Sequence, residues 1–208
     1  MGADLPALSR AEFARRLRRC SPQPLADRAE GALFAHYEEL RRWNRRLSLV
    51  GPGTADAVVE RHYGEALAAL PLIEPARSLL DVGSGGGFPG LVLAAVRPDL
   101  DLTLVEARQR KWAFLQSALR KAELSCQCLN ARVGAALEIP PVDLVTWRAV
   151  RLPATVVEEL AAASARMLVW SGADEPQPPA GWRPGRRVAL AGSDRRRIVE
   201  WLPEERET

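Results

Sequence analysis

Residues 81–90 read DVGSGGGFPG and stand between a short apolar run and a helix-like pattern. Glycines in a strand-to-helix turn let the backbone approach a bound ligand with no Cβ in the way. Gly83, Gly85 and Gly87 fall at every second residue, whereas the dinucleotide fingerprint wants its third glycine where Phe88 stands. The loop therefore fits NAD poorly. Asp81 opens it and Glu106 closes the next apolar run. A pyrophosphate beside Asp81 would meet a like charge, while an ammonium would be attracted directly or through water. Glu106 can accept hydrogen bonds from both hydroxyls of a ribose. A cofactor with an amino group and a ribose but no pyrophosphate is S-adenosylmethionine, and it is the cofactor we expect. The plainer reading makes Asp81 a strand-end cap and Glu106 a surface acid.

From residue 78 onward, short apolar runs bounded by turn residues alternate with helical stretches, the pattern of a mainly parallel sheet crossed by helices. Strands are expected at 79–82, 102–106, 126–129, 142–147 and 167–170. Helices are expected at 90–96, 110–122 (Trp112, Leu115 and Leu119 facing inward) and 154–165. Two further strands, 187–190 and 197–201, are one short turn apart and give the sheet an antiparallel C-terminal edge; 176–184 reads as a loop. Before residue 70 the apolar spacing is helical. Ser9 and Glu12 form a capping box ahead of Phe13 and Leu17. A second helix, 27–44, carries Leu33, Tyr37, Leu40 and Trp43 on one face. Gly51-Pro52-Gly53 breaks the chain, and Thr54 or Asp56 caps a third helix running towards Pro71. The expected division is a helical extension, 1–70, and a Rossmann-like α/β domain, 71–208.

With 208 residues, 47% hydrophobic and 26% charged, the chain has material for one domain and an appendage. The three cysteines (Cys20, Cys126, Cys128) are too few and too closely spaced for a disulfide framework or a zinc site, so we expect reduced thiols and no metal. The first twenty residues hold five arginines without an apolar core, and the longest apolar run is 91–96, so no secretion signal or membrane span is expected and the cytoplasm is the expected location. Formal charge is only +3, but residues 10–46 carry ten arginines against five acids. That surplus suits a polyanionic partner. Arginine makes up 27 of the 29 basic residues, a skew that a GC-rich genome would also produce.

The run DVGSGGGFPGLVLA, followed by LTLVEARQRKWAFL and preceded by WNRRLSLV and ERHYGEAL, resembles the bacterial small-subunit ribosomal RNA guanine-N7 methyltransferases, once called glucose-inhibited division protein B. The resemblance covers about residues 33–170, and its most specific element is Phe88-Pro89-Gly90. It implies a class I methyltransferase domain with an N-terminal helical extension, acting with S-adenosylmethionine on N7 of a guanine in small-subunit rRNA or a ribosomal particle, most simply as a monomer. Carried over residue by residue, Asp81, Gly83, Ser84, Gly85, Gly87, Phe88, Glu106, Ala107, Arg132, Val133 and Arg148 would form the cofactor site. Trp43-Asn44 and Arg61-His62 match in the helical extension, and Arg148-Ala149 after the fourth strand.

Guanine N7 already carries a lone pair, so methylation there demands alignment more than a general base. Arg148, Arg132 and His62 are the candidates to act at the reacting centre, with Arg148 orienting the guanine and His62 packing near the mouth. The alternative for Arg148 is a surface pair with Glu158 or Glu159; the tryptophans read as core, with stacking on a base as the alternative for Trp147. His36 reads as structural. Arg41, Arg42, Arg45, Arg46, Arg61, Arg110 and Lys111 are the candidate RNA contacts. Departures from the pattern gather in the substrate half: Ser48 for Asn, Glu65-Ala66 for Asp-Ser, Gly134 for Glu, Trp147 for Ser, and Ser171 for Lys. Two alternatives stay open, a relative that methylates a small molecule and a non-catalytic RNA- or ribosome-binding protein.

Overall fold

A computed structural model describes residues 2–134 and 137–205. Seven strands form one sheet: β1 (Ser78–Val82), β2 (Asp101–Val105), β3 (Gln127–Leu129), β4 (Val142–Arg148), β5 (Ser164–Ser171), β6 (Trp182–Ala189) and β7 (Arg197–Pro203). Their order is β3-β2-β1-β4-β5-β7-β6. The first five pair in parallel, and β7 runs antiparallel to both neighbours. The expected antiparallel C-terminal edge is present. Connections leave β1 towards β2 on one side and β4 lies on the other, so the order reverses between β1 and β4. In open α/β sheets that reversal leaves a crevice at the carboxyl ends of the strands.

Side chains alternate across the sheet. Leu79, Leu102, Leu144, Leu168 and Ile198 face a layer made of α1 (Arg10–Cys20), α2 (Asp27–Leu47), α5 (Gly90–Val96) and α6 (Gln109–Lys121). Leu80, Val82, Val145, Met167, Val199 and Trp201 face α7 (Ala154–Ala163). The helical extension is thus part of the larger core. Phe13 stacks on Tyr37 at 4.9 Å and meets Tyr63 edge-on at 5.1 Å, joining α1, α2 and the segment before the sheet. Such pairs contribute about 0.5–1.5 kcal/mol each beyond burial.

Local signals explain most boundaries. Ser9 caps α1 by accepting a hydrogen bond from the Glu12 amide at 3.2 Å. The second helix runs to Leu47, three residues past the expected end, and stops where Ser48 takes a left-handed φ of 48°. The third helix is corrected. In place of one regular helix there is a 3₁₀ turn Pro52–Thr54, a π-helical segment Val59–Gly64, and short helices α3 (Glu65–Leu67) and α4 (Leu70–Ile73). Pro71 falls in the first turn of α4, where its missing N–H costs nothing. The loop expected at 176–184 is shorter, because β6 already begins at Trp182. Trp147, read as core with base stacking as the alternative, is only 5% exposed and packs edge-on against Trp201 at 5.3 Å. Burial gives it a place in the core under α7.

Gly90 opens α5 directly against β1. A Cβ there would lie 2.6 Å from Asp81 Oδ2 and 2.7 Å from Asp81 Cβ, inside any real contact. Gly90→Ala should therefore cost about 1–3 kcal/mol through overpacking. Gly172→Ala, where a Cβ would meet nothing within 4 Å, should change stability by less than about 0.5 kcal/mol. Chemical denaturation of the two variants checks the pair.

Candidate functional site

At the carboxyl ends of β1, β2 and β4 lies a cleft of about 780 Å³. Gly83, Gly85 and Gly86 of the glycine loop form one wall; Gly83, Gly85 and Gly87 have φ of 71°, 53° and 85°, so the every-second-residue spacing marks the left-handed positions of the turn. Ser84 and Phe88 line the same wall. Glu106, Ala107 and Lys111 come from the end of β2 and the start of α6, Arg132 and Val133 from the segment after β3, and Arg148 with residues 149–153 from the end of β4. Leu49 and His62 reach in from the helical extension. Ala149 holds a φ of 56°, a left-handed conformation uncommon for a residue with a side chain.

Glu106 is 6% exposed and fixed at both oxygens: Oε2 accepts from the Gly85 amide at 3.0 Å and Oε1 from the Arg108 amide at 2.7 Å. A carboxylate has about four lone-pair positions. Two are spent locally, and the rest remain for hydroxyl donors in the cleft. Asp81 behaves differently. It is fully buried and does not line the cleft; Oδ1 accepts from Thr146 Oγ1 at 2.8 Å and Oδ2 from the Gly90 amide at 3.3 Å. Burial pushes its carboxyl up to about 6, against the pull of those hydrogen bonds. The expected direct attraction of an ammonium to Asp81 is corrected accordingly, since the carboxylate braces the loop from beneath. Gly87 likewise lies outside the cleft wall, backed against His36, whose Nε2 would be 3.0 Å from an added Cβ.

His36 is buried completely. Nε2 lies 3.0 Å from the Gly86 carbonyl and must donate to it; Nδ1, 2.8 Å from Tyr63 Oη, accepts. Acceptance at Nδ1 requires the neutral ring, and burial lowers its pKa to about 4 against the opposing pull of the Gly86 carbonyl. The structural reading of His36 thus acquires a partner, the glycine loop itself. His62 hydrogen-bonds Thr54 Oγ1 at 2.9 Å and packs on Phe88 at 5.0 Å. Its pKa falls to about 3, first through burial and then through Arg148, Arg61 and Arg196.

Those arginines converge on Glu65, 4% exposed. Arg148 Nη2 donates to Glu65 Oε2 at 2.6 Å and to the Arg61 carbonyl at 2.7 Å; Arg61 Nε reaches Oε1 at 3.1 Å, and Arg196 pairs with the same carboxylate. Arg148 therefore pairs with Glu65 and not with Glu158 or Glu159. Its pKa is depressed to about 10 by burial and by Arg61. Glu65 and Arg196 were missed from sequence. Glu65 stood out only as a departure, and Arg196 lies in an arginine run that composition alone explains.

Arg148, Arg132 and His62 thus share one cleft with the glycine loop, and so does Lys111. Arg61 and Arg110 stand outside its lining. Arg42, Arg45 and Arg46 are exposed along the last turns of α2; Arg45 lies 3.2 Å from Asp4 and Arg42 3.7 Å from Glu39. Arg41 is half-buried. Glu39 also accepts from Ser117 Oγ at 2.6 Å, which ties this part of α2 to α6, the helix that carries Lys111. Among the described residues no group of His, Cys, Asp and Glu could hold a metal ion, the cysteines are free, and no helix is long and apolar enough to cross a membrane.

The family model described as rRNA small subunit methyltransferase G matches residues 30–173. The chain is similar to the ribosomal RNA small subunit methyltransferase G of Desulfotalea psychrophila, 42% identical over 93 residues that cover 44% of this chain and 43% of that protein. With the protein of the same name from Neisseria meningitidis serogroup C it shares 36% over 126 residues, 60% of each chain. Against that from Jannaschia sp. it is 42% identical over 124 residues, 56% of this chain and 57% of the other. The matched part thus spans about half the length of these curated relatives. Among solved structures, a SAM dependent methyltransferase from Aquifex aeolicus superposes with a TM-score of 0.56 at 17% identity, covering 71% of this chain and 93% of that one. TehB from Haemophilus influenzae gives 0.52 at 16%, covering 68% and 62%. At these identities the likeness is one of fold.

The buried charges set two expectations. Glu65→Ala would leave Arg61, Arg148 and Arg196 without their shared carboxylate and should cost about 3–5 kcal/mol. Arg148→Ala, which leaves Glu65 two partners, should cost clearly less; equal losses in thermal or chemical denaturation would refute the ordering. The second concerns acid. The unfolded chain protonates a histidine near 6.5 while folded His36 stays neutral down to about 4, so stability is lost as pH falls through that window. His62 adds in the same sense, and Asp81, which takes a proton near 6 in the folded state, opposes it. Between pH 7 and pH 5, native protein should lose about 2 kcal/mol more than His36→Gln, read from denaturation midpoints at the two pH values.

Proposed function

The chain belongs to the rRNA small subunit methyltransferase G family, and from that premise we propose that it transfers a methyl group from S-adenosylmethionine to N7 of a guanine in small-subunit ribosomal RNA. The observation that carries the reading is the Glu106 carboxylate, pinned by the Gly85 and Arg108 amides with acceptor capacity left over, beside a loop whose glycines keep Cβ atoms out of the cleft. That donor and acceptor set fits an adenosine: Glu106 would take the ribose hydroxyls, and Arg132 and Val133 would flank the base. When bound, the cofactor supplies an electrophilic methyl on a sulfonium sulfur.

The protein's own groups then have little proton chemistry to do. N7 attacks with its lone pair, so the requirement is that the guanine be held in line. Arg148 is the residue we assign to that task. Its guanidinium is braced by Glu65 and the Arg61 carbonyl, and Nε has no acceptor among the described residues. A braced planar fork can donate to guanine O6 while keeping its own orientation. His62, neutral down to about 3, is assigned to packing at the mouth and not to proton transfer. The net charge of the cluster, three arginines on one carboxylate, favours a phosphate-bearing substrate near the cleft. The exposed arginines of α2, with Arg110 and Lys111, are assigned to the RNA backbone.

Glu106→Ala should weaken S-adenosylmethionine binding by about 1–3 kcal/mol, because the ribose hydroxyls would lose a buried acceptor; isothermal calorimetry measures this. The function is tested by labelled methyl transfer onto small subunits from a strain that lacks the modification, run beside a mixture of small metabolites. Label in the RNA at guanine N7 is the expected result. No cofactor affinity in the native chain, or label only in small molecules, would overturn the proposal.

A further inference from the structure

Residues 149–152 wall the cleft on one side and a second cavity, of about 730 Å³, on the other. The alternation that turns Met167 and Val169 of β5 towards the α7 layer carries Ser171 to the same face, where Trp201 of β7 and Trp147 of β4 also stand. All three line this cavity. Two polar atoms here have no partner among the described residues: Ser171 Oγ and Trp201 Nε1, in side chains 7% and 1% exposed. An unmade buried hydrogen bond is costly, and two in one cavity wall mark where a ligand completes the set.

The chemistry of the walls selects the occupant. The small part of Trp147 and Trp201 left open, 5% and 1% of each residue, borders the cavity and suits the edge or face of a flat aromatic ring. Trp201 Nε1 can only donate, so the ring must offer an acceptor. The charged lining is Glu158, Asp174 and Glu175 against Arg151, net negative, and Glu158 and Asp174 are exposed carboxylates with no ion pair among the described residues. Such groups repel a phosphate but accept from amino N–H groups, as they do from cytosine N4. We propose that the cavity binds an unpaired nucleobase of the RNA, from a nucleotide neighbouring the one in the cleft, with Trp201 Nε1 and Ser171 Oγ donating to its acceptors. The shared wall at 149–152 places the two sites side by side, so one strand can occupy both. The inference rests on the RNA reading of the cleft.

The test uses the full chain and a short single-stranded RNA that carries one 2-aminopurine. Binding is followed by anisotropy, and stacking by quenching of the 2-aminopurine. Ser171→Ala removes an atom that bonds nothing within the protein, so its melting temperature should hold while RNA affinity falls about five- to tenfold; Trp201→Phe also removes ring carbons buried against Trp147, so its melting temperature should fall together with a similar loss of affinity. An RNA with an abasic position in place of the 2-aminopurine should bind native protein and Trp201→Phe equally weakly. Unchanged affinity in both variants overturns the proposal, as does a fall in melting temperature without a fall in affinity. Displacement of the RNA by free guanosine or adenosine monophosphate at equal concentration would overturn the RNA as source and leave a free nucleotide. Methyl transfer measured on the same preparations keeps the two readings apart: base-dependent binding by a chain that methylates no ribosomal particle would sink the proposed reaction and leave the base pocket standing.

Discussion

The Asp81 carboxylate sits at the point where the sheet reverses its order, with one oxygen on Thr146 of β4 and the other on the first amide of α5. A charged or half-charged group with no solvent around it is costly, and burial has already pushed its proton affinity up to about 6. It persists because it closes three gaps at once. It satisfies an otherwise orphaned N–H at the start of α5, joins the two strands on either side of the switch, and fixes how closely the helix approaches the sheet. Gly90 follows from the same contact. Once the helix N-terminus is drawn onto Asp81, no side chain fits between them, and the glycine loop that precedes Gly90 must turn within a fixed span.

That span is held from the other side by the helical extension. His36 on α2 donates to the Gly86 carbonyl and takes a hydrogen bond from Tyr63, so the loop is bonded to α2 and, through His36, linked to the π-helical segment. His62 and Leu49 enter the cleft from the same extension, and Trp170 Nε1 donates to the Glu65 carbonyl at 3.0 Å. The extension is therefore built into the site's frame. One hydrophobic cluster runs from Phe13 through Tyr37 and Phe88 to Leu104.

What could be read from the sequence follows from how local each cause is. Ser9, the glycines at alternate positions and the apolar runs of β1, β2 and β4 act over a few residues, and their elements were placed to within a residue or two. The segment between Pro52 and Pro71 was not: its π-helical stretch Val59–Gly64 is tied to α1 by the Arg16–Glu60 hydrogen bond and packs Tyr63 against Tyr37 of α2. No periodicity encodes a contact 44 residues distant. The same limit applied to the charges. Arg148 could be picked out as a residue at a strand end, but its partner Glu65 lies 83 positions away, and Asp81 looked available to a ligand until the fold covered it. The glycine pattern gave the backbone of the site, and the long-range polar pairs needed the fold.

These pairs also bear on the kind of reaction the cleft suits. Two of the groups that would serve as bases are withdrawn: His62 is held neutral down to about 3 and hydrogen-bonded to Thr54, and Asp81 is sealed beneath the loop. Glu106 is tied by two amides. Apart from that tied carboxylate, the groups that face the open space include Arg148, Arg132, Lys111 and the backbone of the loop, all cationic or neutral. A nucleophile that must be deprotonated would find no acceptor poised for it. A nucleophile with a free lone pair on an electron-rich, phosphate-linked ring needs none, and gains from fixed donors that hold it in line. Under the proposed methyl transfer the missing base is thus a property the reaction can use, since groups able to take a proton would compete for the donors that orient the guanine.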